Sequence, residues 1–357
     1  MLSAISIQNF RCFSNLKVEG FKNINLIGGE NNVGKTALLE ALAIANYPSP
    51  NTFTFLRGLR QESDTLIKKA TESVWDYFFL DQNKAKEILF TSDFDNGRTY
   101  LLSLHCDEHI QYATNNGSPL IEIPNRKFYN NYILNVNGST IKFDYDYHFT
   151  PNKDSGILDW SGSNYGDLNY TPILTSAFRL ASNALVELYR KIKELKKIQN
   201  FNDILKILDN RIVGSEIDAP GGEPVIKLLL NNYQSMPLGM FGDAIRKVVE
   251  ILLVIFNSPN SIVFIDEIEN GIHYTKHKEL WTKLFEVVGD DIQIFATSHS
   301  LEMITAFNEV AYQTEFEDKA MYFEMARVPS SGEIIANPIN MERLNYKLAT
   351  KSPLRGE

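Results

Sequence analysis

The sequence has few cysteines, no excess of positive charge and no long apolar run. Its 357 residues include only Cys12 and Cys106, which excludes a disulfide framework and is typical of proteins in a reducing compartment. The net charge of −9 argues against a surface that coats nucleic acid. The longest apolar run, Ile251–Phe256, is too short to cross a bilayer, and the first residues are too polar for a signal peptide. We therefore expect a cytoplasmic protein without membrane contact.

One short stretch has a recognisable phosphate-binding pattern. The segment GGENNVGKTALLEAL, from Gly28 to Leu42, contains the pattern G-x-x-x-x-G-K-[ST]. An apolar strand, INLIGG, precedes the loop, and the helix-forming run Thr36–Asn46 follows it. In this context successive backbone N–H groups at the start of a helix face a phosphate. We predict that Lys35 contacts the β- and γ-phosphates of a nucleotide and that the Thr36 hydroxyl binds Mg²⁺.

Two further apolar strands each end in groups suited to phosphate chemistry. The stretch SIVFIDEIENG carries Asp266 and Glu267 to the end of a strand, where ligands bind in parallel sheets. We predict that Asp266 binds Mg²⁺ and that Glu267 is the general base for the attacking water. The stretch QIFATSHS ends at His299, which can sense the γ-phosphate. The alternative for Asp266 and Glu267 is an acidic surface, and the alternative for His299 is a structural histidine. The phosphate loop on the same chain favours a functional role for the carboxylates, and the position of His299 at the tip of a neighbouring strand favours one for the histidine.

The middle of the chain has a different pattern. Between about residues 90 and 150, aromatic and β-branched residues alternate with polar ones. Hairpin-type dipeptides interrupt the alternation at Asn96-Gly97, Asn116-Gly117 and Asn137-Gly138. We predict an antiparallel β-meander inserted between the loop helix and the later strands.

A helical period extends from Ser176 to about Leu208. Its predicted apolar face consists of Leu180, Ala184, Leu188, Ile192 and Leu195. The basic segment Tyr189–Lys197 either contacts nucleic-acid phosphates or forms a solvated face, and the sequence favours neither. The last third returns to α/β alternation and ends in a hairpin and a short helical tail.

The three blocks, in this order and spacing, resemble the ABC-type ATPases. The likeness is to the heads of structural-maintenance-of-chromosomes (SMC) proteins and especially to the OLD-like ATPases of bacteria and phage defence. It is carried by INLIGGENNVGKTALLEAL, FIDEIENGIHY and FATSHSLEMI, with IQNFRCF at the start, and covers roughly residues 2–43 and 236–307. It implies an α/β, ABC-ATPase head-like P-loop fold with the β-meander insertion and a helical lobe. The reaction it implies is hydrolysis of ATP to ADP and phosphate with Mg²⁺.

No linker, internal repeat or low-complexity segment divides the sequence, so we expect one ATPase domain of two lobes over residues 1–357. Its segments are the N-terminal strands and loop (1–50), the β-meander insertion (90–150), a helical segment (172–215), the core with the signature, carboxylates and histidine (235–310), and the C-terminal hairpin and tail (320–357).

Several residue roles follow from the same resemblance. The nucleotide would be bound by Gly29, Asn31, Asn32, Val33, Gly34, Lys35, Thr36, Ala37 and Arg11. The residues engaged in catalysis would be Glu267, His299 and Lys35, and the metal would be held by Thr36 and Asp266. The loop that crosses a dimer interface would comprise Glu269, Asn270, Gly271 and His273.

ABC-type ATPases also need a signature helix that contacts the nucleotide bound on the opposite subunit. The candidate is MPLGMFGDAIRKVVEIL, with Gly242, Asp243 and Ala244 at the contact. An alanine replaces the second glycine of the family's usual G-D-G, and the serine of the standard signature is absent. This departure predicts slow turnover rather than loss of ATP binding.

At the level of function, the resemblance implies a homodimer or higher homo-oligomer that serves as sensor or scaffold of an anti-phage defence system. A separate effector, such as a nuclease or a toxin, would act beside it. About 50 residues follow the His299 block and are predicted to form a hairpin and tail, so we expect no nuclease module in this chain. A RecF-like DNA-repair ATPase and a slowly hydrolysing, nucleotide-locked structural module are the alternatives. The stretch FIDEIENGIHY and the acidic charge favour the defence role.

Overall fold

The computed structural model describes residues 1–60, 64–111, 129–139, 144–152, 155–162, 173–174, 180–352 and 354. The chain divides into two compact units. The first contains Met1, Val18–Leu39 and Thr171–Glu357, and the second contains Leu2–Lys17 and Glu40–Tyr170. Within the described residues, no helix has the length and apolar character needed to cross a membrane.

The described chain begins with runs of strands and helices, and helices alternate with single strands from α6 to β15. The strands are β1 (Leu2–Phe10), β2 (Phe13–Glu19), β3 (Ile24–Gly29), β4 (Ile88–Phe94), β5 (Thr99–Gln111), β6 (Tyr129–Ser139), β7 (Asp144–Pro151), β8 (Leu158–Gly162), β9 (Ile173–Leu174), β10 (Ile212–Asp218), β11 (Val225–Leu230), β12 (Ser235–Pro237), β13 (Ile262–Ile265), β14 (Gln293–Thr297), β15 (Ala320–Arg327) and β16 (Ile334–Ile339). The α-helices are α1 (Lys35–Asn46), α2 (Pro50–Leu59), α3 (Asp64–Lys69), α4 (Ser182–Glu194), α5 (Ile198–Leu208), α6 (Asp243–Asn257), α7 (His277–Val287), α8 (Leu301–Ala311) and α9 (Met341–Ala349).

The first unit is built around a six-stranded sheet in the order β16-β15-β3-β14-β13-β9. Every neighbouring pair from β15 to β9 is parallel, and β16 returns antiparallel to β15. Strands β3, β13 and β14 are buried along their whole length, because their apolar runs face the core on both sides of the sheet. One cluster of buried side chains joins this sheet to helices α4 to α9. The carboxyl ends of β3, β13 and β14 therefore meet at one edge of the sheet, as the sequence predicted.

The second unit contains the predicted antiparallel meander. Its sheet has the order β2-β1-β4-β5-β6-β7-β8, so the meander continues from the N-terminal strands. The turn at Asn96-Gly97 is confirmed, with Gly97 at φ 75° and the Phe94 N–H donating to the Arg98 carbonyl at 2.8 Å. The predicted turn at Asn116-Gly117 lies outside the described residues.

One predicted turn of the meander is wrong. Asn137 and Gly138 lie inside β6, where they are paired with β5 on one side and β7 on the other. Regular pairing on both sides overrides the local turn preference of an Asn-Gly dipeptide.

The helical segment consists of two helices instead of one continuous helix. Helix α4 ends at Glu194 and α5 begins at Ile198, and between them Lys196 takes a left-handed φ of 58°. The buried face of α4 is formed by Leu185, Val186, Tyr189 and Ile192. The prediction that Leu195 belongs to the apolar face is wrong, because Leu195 caps the end of α4 and is 53% exposed.

Helices α4 and α5 pack against a small antiparallel sheet that leads to the predicted signature helix. The sheet has the order β10-β11-β12, with α5 against β10 and α4 against β11. After β12 a short turn, Leu238–Met240, connects directly to Gly242, the residue before α6.

Candidate active site

The phosphate loop leaves β3 through a backbone that side chains would obstruct. Gly29 has a φ of 133°, and a Cβ atom there would lie 2.2 Å from the Met325 carbonyl oxygen of the neighbouring strand β15. Gly34 has a φ of 87° and precedes the first residue of α1. Val33 and Ala37 are buried, whereas Asn31 and Asn32 are exposed at the rim of the loop. The two glycines of the motif are thus required by the path of the loop.

Lys35 lies folded back inside this loop. Its side chain is buried, and Nζ donates hydrogen bonds to the carbonyl oxygens of Gly29, at 2.8 Å, and Glu30. Burial lowers the pKa of Lys35 to about 8, against the opposing pull of nearby carboxylates led by Asp266 and Glu269. The loop therefore already surrounds an ammonium group at the place where the motif predicts phosphates.

Asp266 connects the loop to the sheet edge. The Thr36 hydroxyl donates to its two carboxylate oxygens at 3.0 and 3.2 Å, and the Thr297 hydroxyl donates to Oδ1 at 2.6 Å. Its backbone N–H donates to the Leu174 carbonyl at 2.8 Å. The pairing of β13 with β14 and of β14 with β3 produces this meeting of residues that are far apart in sequence. The two predicted metal ligands, Thr36 and Asp266, are therefore adjacent.

Glu267 has an unusual backbone conformation directly after Asp266. Its φ is 49°, in the left-handed region, where a non-glycine residue stores about 1–3 kcal/mol of strain. The side-chain amide of Asn270 donates to Glu267 Oε2, and His299 Nε2 lies 3.8 Å from Glu267 Oε1. Both side chains are a little more than a third exposed, 38% for Glu267 and 36% for His299. The structure thus brings the predicted base and the predicted histidine together at an accessible edge.

The predicted interface loop is partly turned inward. Glu269 Oε1 accepts a hydrogen bond from the His299 backbone N–H at 2.6 Å, so this carboxylate joins the two strand ends. Gly271 and His273 are exposed, as expected of an interface loop. A Cβ atom at Gly271 would lie 3.2 Å from the Ala244 nitrogen, so the loop packs on the first turn of α6.

The first turn of α6 is open to solvent. The N-cap residue is Gly242, which has no side chain to cap the helix. Both Gly242 and Asp243 are exposed. A helix N-terminus of this kind presents N–H groups and partial positive charge to an anion. Asp243 adds a negative charge at the same place.

Arg11 belongs to the second compact unit and is held by contacts within it. Its Nε donates to Glu40 at 2.9 Å, its Nη1 to the Tyr77 carbonyl at 2.6 Å, and its guanidinium lies 4.6 Å from the ring centre of Phe78. Glu40 also accepts from Arg60 Nε at 2.8 Å. The contact of Arg11 with nucleotide remains a prediction.

Sequence reasoning missed two residues of this network. Thr297 contacts Asp266, and its hydroxyl also accepts from the Glu267 backbone N–H at 2.8 Å. Lys247 of α6 is buried and donates from Nζ to the carbonyl oxygens of Asp266, at 3.3 Å, and Glu267. The sequence offered one signal for Lys247, which directly precedes Val248-Val249 in a helix with an apolar end. A lysine buried beside such residues needs polar partners.

Residues 24–305, more than half of the chain, match the family described as "AAA domain, putative AbiEii toxin, Type IV TA system". The chain belongs to this family. It is therefore a P-loop ATPase, and the predicted enzyme class is confirmed.

Individual relatives are distant. The chain is 24% identical to a Helicobacter pylori protein named ATP/GTP phosphatase, over 90% of this chain and 92% of that protein. It is 26% identical to an uncharacterized protein of Methanocaldococcus jannaschii, over 57% of this chain and 93% of that one. Among solved structures, it is similar to an Smc head domain with an extended coiled coil bound to the C-terminal domain of ScpA, derived from Pyrococcus furiosus. This likeness has a TM-score of 0.51 at 9% identity, covers 99% of both chains, and confirms the ABC-type head fold.

Proposed function

We propose that this ATPase hydrolyses Mg²⁺-bound ATP at the edge formed by β3, β13 and β14, with Glu267 as the general base. The observation that supports this most directly is the hydrogen-bonded network of Thr36, Asp266, Thr297 and the Glu267 backbone. The network supports this role because it joins the loop that would hold the phosphates to the backbone of Glu267. The name of the Helicobacter pylori relative also supports hydrolysis of a nucleoside triphosphate.

The residues at Thr36 and Asp266 fit Mg²⁺. A hydroxyl and a carboxylate are hard oxygen ligands, and Mg²⁺ is usually held by one or two such groups together with phosphates and water. Within the described residues, no group of three or more His, Cys, Asp or Glu side chains could form an all-protein metal site. When bound, Mg²⁺ would neutralise charge on the β- and γ-phosphates.

The protein's own groups have separate tasks in this proposal. Lys35 would turn from the Gly29 and Glu30 carbonyls to the phosphate oxygens. Glu267 would accept a proton from the attacking water, with its carboxylate oriented by the Asn270 amide. His299, 3.8 Å from that carboxylate, would contact the γ-phosphate and report its presence.

Two such subunits would pair through ATP as a homodimer or within a higher homo-oligomer. The open N-terminus of α6, at Gly242 to Ala244, would face the γ-phosphate held by the partner. The loop of Gly271 and His273 lies against the same turn and would cross the interface with it. Because Asp243 opposes an anion and Ala244 adds a methyl group, we expect slow turnover and a partly nucleotide-independent interface.

We expect Gly242→Arg to weaken ATP-dependent pairing while ATP binding by the single subunit stays intact. Gly242 is exposed, with open space around a Cβ atom, so the larger side chain disturbs the docking surface rather than the fold. The measurement is light scattering in the Glu267→Gln background, with and without ATP. Gly58→Arg, another exposed glycine with open space around it, is the matched control. A protein that is monomeric under both conditions before Gly242 is changed would contradict the pairing mechanism.

For the biological role we propose an ATPase component of a defence or toxin–antitoxin system, with a separate nuclease or toxin as effector. The family description supports the link to a toxin–antitoxin system, and the separate effector is the further part of this proposal. A DNA-repair role is less well supported, because Arg190 of the basic helix is paired with Glu187 and Lys197 donates to the Phe256 carbonyl at 3.2 Å. Phage challenge of cells that carry the gene with its neighbours tests the proposal, since plating unaffected by the genes would contradict it.

A further inference from the structure

We propose that Lys247 is a positioning residue that couples helix α6 to the general base Glu267. Contact of the α6 N-terminus with nucleotide on a partner subunit would then set the backbone of Glu267 through this lysine. The inference rests on the proposed ATP-dependent pairing and adds the route by which one subunit would control hydrolysis in the other.

The contact is direct and lies one helical turn from the exposed end of α6. Lys247 is the fifth residue of the helix and is 2% exposed. Its Nζ reaches the carbonyl oxygens of both Asp266 and Glu267. Because an ammonium group is costly to bury without polar partners, this side chain fixes the distance between the helix and the carboxylate segment.

Glu267 is a residue whose position depends on such contacts. It has a left-handed φ of 49°, a conformation that persists in a non-glycine residue only where its surroundings impose it. Its N–H is held by the Thr297 hydroxyl at 2.8 Å, and its carbonyl accepts from Lys247 and from the Asn270 N–H at 3.0 Å. Lys247 therefore supplies the link from α6 to a segment that β14 holds from the other side.

A second contact joins the same two segments closer to the open end of the helix. Gly271 lies four residues after Glu267 and has a φ of 80°. A Cβ atom added there would lie only 3.2 Å from the Ala244 nitrogen. A shift of the first turn of α6 would thus reach the Glu267 segment at two points, through backbone packing at Gly271 and through Lys247. Packed contacts of this kind carry coupling between sites.

If Lys247 only stabilised the fold, its replacement would not lower kcat selectively. The kinetics of Lys247 variants therefore distinguish a positioning role from a purely structural one. We expect Lys247→Met to lower kcat by about 10- to 10²-fold, the scale of a small misplacement of a catalytic group. The KM for ATP should stay within about twofold, because the lysine does not belong to the phosphate loop, whose contacts dominate binding. Lys247→Arg, which can still donate to both carbonyls, should recover a large part of kcat.

The matched control is Lys347→Met, which removes a partly buried lysine of α9 that is paired with Glu324 of β15. An unchanged kcat in Lys247→Met, or an equal loss of kcat in Lys247→Arg and Lys247→Met, contradicts the inference. If Lys247→Met does not fold, Lys247→Gln, which is shorter and uncharged but keeps an NH₂ donor group, replaces it under the same criteria.

Failure of the inference is distinguishable from failure of the proposed function. A wild-type protein whose specific ATPase activity is independent of its own concentration, and which does not pair with ATP, contradicts the pairing on which the inference rests. A wild-type protein that pairs and hydrolyses ATP, with Lys247→Met behaving identically, contradicts the role of Lys247 alone.

Discussion

Glu267→Gln is expected to lower the rate of ATP hydrolysis by about 10²-fold or more, the usual scale for loss of a general base. Glutamine has the shape of glutamate but cannot accept the proton of the attacking water. The Glu267 backbone N–H donates to the Thr297 hydroxyl, and this hydrogen bond should persist because it does not involve the Glu267 side chain. Thr36 and Asp266 are unchanged, so ATP binding should remain. Phosphate release under saturating ATP gives the rate, and titration calorimetry gives the affinity.

The control for this change is Glu279→Gln, which removes an exposed carboxylate of α7 that is paired with Lys276. It should hydrolyse ATP at the rate of the wild type. If Glu267→Gln also hydrolyses ATP normally, another group is the base. Glu269 would be the next candidate, because its carboxylate accepts from the His299 N–H at the same edge of the sheet.

The placement of the motif residues at one edge of the sheet could be predicted because each motif is a contiguous stretch of the chain. The loop, its preceding strand and its helix form one stretch, and the buried strand β13 is followed directly by Asp266 and Glu267. Parallel strands that end in such groups must place them at one edge of the sheet. The meeting of Thr36 with Asp266, and of Glu267 with His299, follows from this rule.

The contacts that sequence reasoning missed depend on strand order and helix rotation. Thr297 reaches Asp266 because β14 lies between β3 and β13, an order that no local pattern specifies. Lys247 reaches the Glu267 carbonyl because one face of α6 turns toward the end of β13. Glu269 was placed in an interface loop by its position in the motif, yet its side chain points to the His299 backbone. Each contact spans 20 residues or more, beyond the reach of periodicity.

The errors in secondary structure have a related cause. Asn137-Gly138 has the local preference of a turn, but the strands on either side of β6 satisfy its backbone groups in extended form. Leu195 fits the helical period, but the helix stops one residue earlier and leaves it exposed. At Asn137-Gly138 the pairing with neighbouring strands outweighs the local turn preference, and at Leu195 the end of the helix outweighs the helical period.

Lys35→Ala is expected to abolish ATP binding at ordinary nucleotide concentrations. The lysine is the fixed cation inside the loop, buried and held by the Gly29 and Glu30 carbonyls until phosphates replace them. Hydrogen bonds to charged groups contribute about 1.5–3 kcal/mol each. Loss of two such bonds, to the β- and γ-phosphates, raises the Kd by about 10²- to 10⁴-fold.

The control for this variant is Lys278→Ala, which removes an exposed lysine paired with Glu309. Both variants lose one positive charge from the same compact unit, so a general electrostatic effect on ATP would appear in both. Binding lost only in Lys35→Ala assigns the phosphates to the loop. We expect the loop to keep its path in this variant, because its two turns depend on the positive φ angles of Gly29 and Gly34, which are unchanged in sequence. Unchanged ATP affinity in Lys35→Ala would remove the basis for every role proposed for Thr36, Asp266 and Glu267, since each depends on phosphates bound beside them.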